Sequence, residues 1–257
     1  MKSRLLKKSG LLFLSVVLFL PCLARATVLG TVDVVNGGYY ANDSIVVWYG
    51  DNESGKIVHA GVSRFKTIGG TNEGKLWSSG EIGGFCIELA EPRSTMPITT
   101  YDVINPADGP RPESYLGGAM GETKANYLRE LWGRYYDPSW ATGDTFTGTQ
   151  NSQAAVFAAA IWEIVNEDFT GNPLDWNVHS DGTDGTGGFR VWGVDYTTAN
   201  QWLHSLDGTG PMADLRVFSY DGVQDFLVAV PEPATIALLG IGSILGLMRR
   251  KNIMRLR

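Results

Sequence analysis

The chain is bracketed by two segments that cannot join a water-soluble core, and they decide how much of it is left to fold. At the C-terminus, Val230-Pro231-Glu232-Pro233 leads into an uncharged run from Ala234 to Met248. Arg249, Arg250 and Lys251 follow at once, with Arg255 and Arg257 beyond. A helix over 234–248 rises about 22 Å, short of the roughly 30 Å hydrocarbon core, so it spans only where the bilayer thins or flanking side chains help. The cationic end is expected to stay cytoplasmic. Pro231 and Pro233 lack amide donors and keep the approach extended, which leaves the backbone readable by a processing enzyme. The expectation is a tail at 230–257 carrying a short transmembrane helix at 234–248.

The N-terminus carries its own export pattern. Lys2, Arg4, Lys7 and Lys8 precede an apolar stretch from Leu11 to Leu20, and Ala24-Arg25-Ala26 places small residues where a signal peptidase reads. Residues 1–26 therefore read as a signal peptide cleaved after Ala26. Pro21 before Cys22 does not suit a lipoprotein site, where a small residue is wanted. Of the 21 Lys and Arg, ten lie in residues 1–26 and 231–257, against a single acid there, Glu232. Residues 27–230 keep 11 basic and 26 acidic side chains, a net charge of −15. Nucleic acid and anionic lipid would be repelled by such a domain. Cys22 leaves with the signal, so Cys86 is the one thiol of the exported part and cannot form an internal disulfide. A free thiol, a bridge between chains or special chemistry remain open for it.

Residues 27–229 suffice for one good-sized core or two small lobes. Val28–Val35 and Ser44–Tyr49 read as strands separated by turns at Asn36-Gly37-Gly38 and Asn42-Asp43. Ile57–Ile68 and Phe85–Leu89 read as further strands. A loop-rich stretch is expected from Pro92 through Tyr101-Asp102-Val103-Ile104 to Pro112. Helical periodicity starts near Lys124, with Ala125, Leu128, Leu131 and Trp132 on one face, and ends at Asp137-Pro138. A second, largely buried helix is predicted over Gln153–Asn166 with Ser152 as its N-cap, and a third over Thr197–Leu206. Leu215–Tyr220 and Asp225–Val230 close as strands. The fold class is α+β: a β-rich, sandwich- or barrel-like domain with two or three inserted helices, its two termini close together on the sheet.

Two resemblances attach to these residues. Pro231-Glu232-Pro233, the short apolar run and the basic cluster Arg249, Arg250, Lys251 resemble the PEP-CTERM sorting signal of exopolysaccharide-producing Gram-negative bacteria. The resemblance implies that an exosortase reads the tripeptide, removes the tail and releases the protein or attaches it outside the cell. Exosortase, signal peptidase and, transiently, the inner membrane are then its partners during export, with the exopolysaccharide a further one outside. Second, Phe85-Cys86-Ile87-Glu88, the helix around Ala160-Ile161-Trp162-Glu163, and Gln224-Asp225 resemble the thioester adhesin-type domains of some exported bacterial proteins. There a cysteine sulfur attacks a glutamine carboxamide, ammonia leaves, and a partner's amine or hydroxyl later takes the acyl group. Four positions before the Trp, where that family is expected to carry Gln, this chain has Ala158. Gln153 lies five residues earlier, about 140° round a helix, and Gln150 precedes the predicted helix. The resemblance therefore implies a degenerate domain at Cys86 and Ala158, with the fold kept and the bond lost.

Other chemistry is weakly signalled. A nucleophilic Cys86 needs a base, and no local signature surrounds His59, His179 or His204. Glu88, on the same strand face, should raise the thiol pKa. Asp181-Gly182-Thr183-Asp184-Gly185 lacks the alternating carboxylates and terminal Glu of a calcium loop. Trp132, Trp162 and Trp202 fall at core spacing, and Trp192, between Gly188 and Gly193, reads as exposed and able to stack on a sugar. No phosphate-loop, dinucleotide or zinc spacing is present, so neither a cofactor nor a metal is expected. The favoured function is a non-catalytic surface or matrix protein sorted by exosortase. A carbohydrate-binding module of the exopolysaccharide matrix and a secreted hydrolase are the alternatives.

Overall fold

The computed structural model describes residues 26–50, 54–77, 80–110, 118–167, 172–180 and 188–231. Ala24, Glu232, Pro233, Arg249, Arg250, Lys251 and the 181–185 loop lie outside them. Ala26 and Pro231 are the first and last residues described.

Alternating apolar residues make β1 (Gly30–Tyr49) a single strand of 20 residues, with Val32, Val34, Ile45 and Val47 buried. The turns expected at 36–43 do not form. The strand runs through them with register shifts at Asp33/Val34, Asn36/Tyr39 and Tyr39/Asn42 against β2 (Lys56–Asn72). Gly38 (φ 86°) and, on the facing strand, Gly61 (φ 140°) take backbone conformations that side chains resist. A Cβ on Gly61 would also lie 2.3 Å from the Ala41 carbonyl oxygen. Residues that commonly signal a turn here accommodate bulges.

β3 (Gly80–Cys86), β4 (Thr99–Ile104), β5 (Phe189–Trp192), β6 (Leu215–Tyr220) and β7 (Val223–Ala229) complete the sheet in the order β2-β3-β7-β6-β4-β1-β5. Every pairing is antiparallel, and β1 also pairs β2, so six strands close into a sandwich- or barrel-like ring. β5 extends the outer half of β1, placing Trp192 opposite Val46. β4 occupies a stretch expected to be loop, and β5 one left without an element. Both are short, and pairing with β1 decides them more than their own propensity does. β3 ends at Cys86, where a strand over Phe85–Leu89 was expected. Phe85, Ile87, Leu89 and Glu88 are all within 3 % of full burial, so alternation there does not separate core from solvent.

α1 (Gly121–Tyr135), α2 (Gly148–Asn166) and α3 (Tyr196–His204) supply the helical part. α2 begins before the predicted Gln153. Thr147, not Ser152, is the N-cap: its hydroxyl accepts from Gln150 N at 3.2 Å, and Gln150 Oε1 accepts from Thr147 N at 3.0 Å, a reciprocal capping box. Every residue from Ala154 to Asn166 is buried. A helix apolar on all sides belongs inside, and α2 packs against β1, β2, β5, α1 and α3. Its alanines let these neighbours approach. Around Phe157, an aromatic cluster of Phe85, Trp132, Tyr136 and Trp140 joins β3 to the helices, with the Phe85 and Phe157 rings 4.9 Å apart.

Both ends of the domain meet one short turn, Glu73–Trp77. Glu73 N donates to Leu29 O at 3.3 Å, and the Trp77 indole donates to Ala229 O at 3.0 Å. Among the described residues the last backbone bond is Val230 N to Asp214 O, 2.9 Å.

Candidate functional site

Cys86 is the last residue of β3 and pairs with Phe226 of β7. One further backbone bond, Ile87 N to Asp225 O at 3.0 Å, carries the chain past the ladder before it turns away. Glu88, 1 % exposed, then folds back so that its Oε2 accepts from Asp225 N at 2.9 Å. Asp225, fully buried, accepts from Tyr220 N at 3.0 Å through Oδ1. These carboxylates are held by backbone donors at the end of β6 and the start of β7, as buried charges require.

Two side chains converge on one oxygen here. The Cys86 thiol donates to the Glu88 carbonyl oxygen at 2.6 Å, and Gln224 Nε2 donates to the same oxygen at 3.4 Å. Sγ and Nε2 are therefore no more than about 6 Å apart. Gln224 is also pinned by its backbone, which donates to Pro92 O at 3.0 Å. From α2, the Trp162 indole donates to the Cys86 carbonyl at 2.7 Å, fixing the backbone that carries the sulfur.

Cys86, Gln224 and Trp162 line a cavity of about 210 Å³ together with Tyr39, Lys56, His59, Glu91 and Arg93. It follows the edge of β2, because β2 pairs with β3 only from Val62 onward and Lys56–Gly61 continue past that pairing. Both faces of β2 contribute, Lys56 and Val58 from one, His59 and Gly61 from the other. Tyr39 carries two neighbours on its ring, the Arg93 guanidinium at 4.2 Å and the His59 imidazole at 4.8 Å. Arg93 is anchored by Asn36 Oδ1 and Gly38 O.

Burial pushes the Cys86 thiol well above the ordinary thiol range, and the nearby Glu88 and Asp225 charges push the same way. Desolvation is the largest cause; the hydrogen bond to the Glu88 carbonyl works against it, and the Glu88 charge raises the thiol in the direction the sequence suggested. A free thiolate is thus disfavoured, which weighs against a cysteine nucleophile working by turnover.

The remaining predicted positions separate cleanly. Ala158 is 1 % exposed, one turn before Trp162 on the same side of α2, and offers only a methyl group. Gln150 lies inside α2, not before it; its side chain serves the cap and reaches Ser139 O at 3.3 Å. Gln153 is exposed and lines a different hollow with Asp195 and Thr198. His179 stacks on Tyr196 at 4.4 Å, and His204 Nε2 is 2.8 Å from Trp176 O. Of the histidines, His59 is the one in the Cys86 cavity. Trp132 and Trp162 are buried and Trp202 half-buried, whereas Trp192 is 65 % exposed. Among the described residues no group of three His, Cys, Asp or Glu side chains could hold a metal ion, and no helix is long and apolar enough to cross a membrane.

Sequence reasoning missed three roles: Gln224 as the neighbour of Cys86, Trp162 as the clamp on its carbonyl, and His59 as the imidazole beside it. The resemblance groups Cys86, Trp162 and Gln224-Asp225, and His59 is weighed as a base, but none of these signals assigns Gln224, Trp162 or His59 its place beside Cys86.

Residues 229–252 match the PEP-CTERM protein-sorting motif. The motif marks a substrate of exosortase, processed by it and directed to the cell surface or extracellular space. No curated protein and no solved structure matches the chain.

Proposed function

We propose that this exosortase substrate is a surface or matrix adhesin of an exopolysaccharide-producing Gram-negative bacterium, and that Cys86 and Gln224 join in an internal thioester. The observation that carries this reading is their convergence on the Glu88 carbonyl oxygen at 2.6 and 3.4 Å, inside a walled cavity. The loss of the bond inferred from Ala158 concerns that position alone; Gln224 has the carboxamide that a methyl group lacks. The sulfur attacks Gln224 Cδ, the C–N bond breaks, and ammonia leaves with the thiol proton. Burial that penalises a thiolate leaves a neutral thioester unpenalised. A partner's nucleophile then takes the acyl group and the thiol is restored. Each molecule reacts once, so the role is attachment and not enzymatic turnover.

Intact mass spectrometry of the mature domain tests the reading. The expected mass is one ammonia below the sequence mass, returning to full mass in Cys86→Ala and Gln224→Ala. Full mass in the wild type, with Cys86 alkylated by iodoacetamide after denaturation, would return the domain to a degenerate, purely structural role.

A second reading rests on the outer face of the β2-β1-β5 sheet. Ile57 and Trp192 both sit opposite Val46, and they are 76 % and 65 % exposed, a flat apolar row able to stack on sugar rings. Retention on the producer's own polysaccharide, lost in Trp192→Ala, is its test.

A further inference from the structure

We propose that the acyl group of Gln224 is passed to a hydroxyl nucleophile rather than an amine, with His59 taking the hydroxyl proton; this rests on the thioester reading above. An alcohol is a poor nucleophile until its proton is taken and needs a base within reach, whereas an uncharged amine attacks before losing a proton. His59 supplies the base. It lines the same cavity as Cys86 and Gln224, its ring is exposed to solvent, and Tyr39 holds it at 4.8 Å.

The step balances. The hydroxyl oxygen bonds to Gln224 Cδ, the Cδ–Sγ bond breaks, and the proton accepted by His59 is returned to the Cys86 thiolate. An ester and a free thiol result, with no oxidant or other reagent. Placement also suits a hydroxyl presented by a sugar, because Ile57 and His59 are two residues apart on one strand and share its outer face. The apolar row through Val46 and Trp192 therefore leads to the cavity mouth.

The test uses the mature domain and two probes, glycerol and methylamine, with adducts read by intact mass. Wild type is expected to acquire a glycerol ester. In His59→Ala the glycerol rate should fall by about a hundredfold or more, the usual contribution of a positioned base, while the ammonia-deficient mass persists and methylamine addition is nearly unchanged. Equal glycerol rates in the two proteins, or a wild type that accepts methylamine and never glycerol, would overturn the inference. A wild type without ammonia loss removes the thioester reading first and this inference with it. Loss of the ammonia-deficient mass in His59→Ala alone would show His59 acting in bond formation and would equally overturn the assignment. His59→Gln, which keeps a polar side chain, checks that any loss is not a packing defect.

Discussion

Trp162 holds the Cys86 carbonyl and Gln224 shares the Glu88 carbonyl oxygen with its thiol, and each side chain can be removed separately. Trp162→Phe keeps the ring and deletes the donor to the Cys86 carbonyl. An unsatisfied buried carbonyl costs about 1–3 kcal/mol, so denaturant unfolding should show a loss of that size. The fraction of protein lacking ammonia should fall as well, because the sulfur is no longer fixed. In Gln224→Ala the thiol is free, and its titration becomes visible. Its folded pKa is raised by burial, so the thiol contribution to stability is complete below the ordinary thiol range. It is lost as pH rises through and above that range, where the unfolded chain ionises first. Denaturation midpoints of Gln224→Ala against the Gln224→Ala/Cys86→Ala double variant, taken from neutral to alkaline pH, should converge or cross as this happens. Iodoacetamide should leave the native Gln224→Ala thiol largely unlabelled at neutral pH.

What could be read at this scale was identity, not partnership. Cys86 stands out as the one cysteine outside the expected signal peptide, and Trp192 stands out because glycine-flanked aromatics have little to pack against. The pairing of Cys86 with Gln224 depends on β3 lying beside β7, 138 residues apart, and no local pattern encodes that neighbour. Ala158 drew attention for the opposite reason. It lies one turn from Trp162, close to the chemistry in sequence, and its methyl group simply belongs to the packing of a buried helix.

Elements were legible where their own sequence decides them and illegible where pairing does. The three helices are announced by periodicity; the start of α2 slipped because a Thr-x-x-Gln capping box lies in a Gly- and Thr-rich stretch that resembles loop. Thr147→Ala should cost about 1 kcal/mol and Ser152→Ala almost nothing, measured by thermal or denaturant unfolding. β1 was split in two because Asn and Gly mark turns and bulges alike. Gly61 distinguishes the cases physically: at φ 140°, against the Ala41 carbonyl, it has no room for a side chain. Gly61→Ala should destabilise the domain by more than 1 kcal/mol, beyond the ordinary Gly–Ala difference of about that size. It should also disturb the β2 edge that walls the Cys86 cavity. By contrast, Trp192→Ala should leave stability within about 0.5 kcal/mol, as expected of an exposed side chain, while abolishing any retention on polysaccharide.

For the whole molecule, the sorting tail was readable from charge and hydropathy, and the motif at 229–252 agrees with it; the N-terminal segment 1–26 is an expectation of the same kind. Replacing Pro231-Glu232-Pro233 by Ala-Ala-Ala should leave the tail uncut and the protein in the membrane fraction, checked by fractionation and C-terminal mass. Closure of the sheet was less legible, since a ring of antiparallel strands and an open sheet share the same alternation.

The route of β7 has a mechanical consequence. Gln224 is the second residue of this strand and Pro231 lies two residues past its end, so the proposed coupling point and the tail lie at opposite ends of one extended segment, about 23 Å apart at 3.3 Å per residue. With a partner bonded at Gln224 and the cell holding the chain beyond Val230, tension would run through this segment alone. An extended strand has little slack to give, and the other strands and helices would sit outside the line of load. Pulled between those two points in a single-molecule experiment, the domain should show no unfolding step, whereas pulling between Ala26 and Pro231 should unravel it.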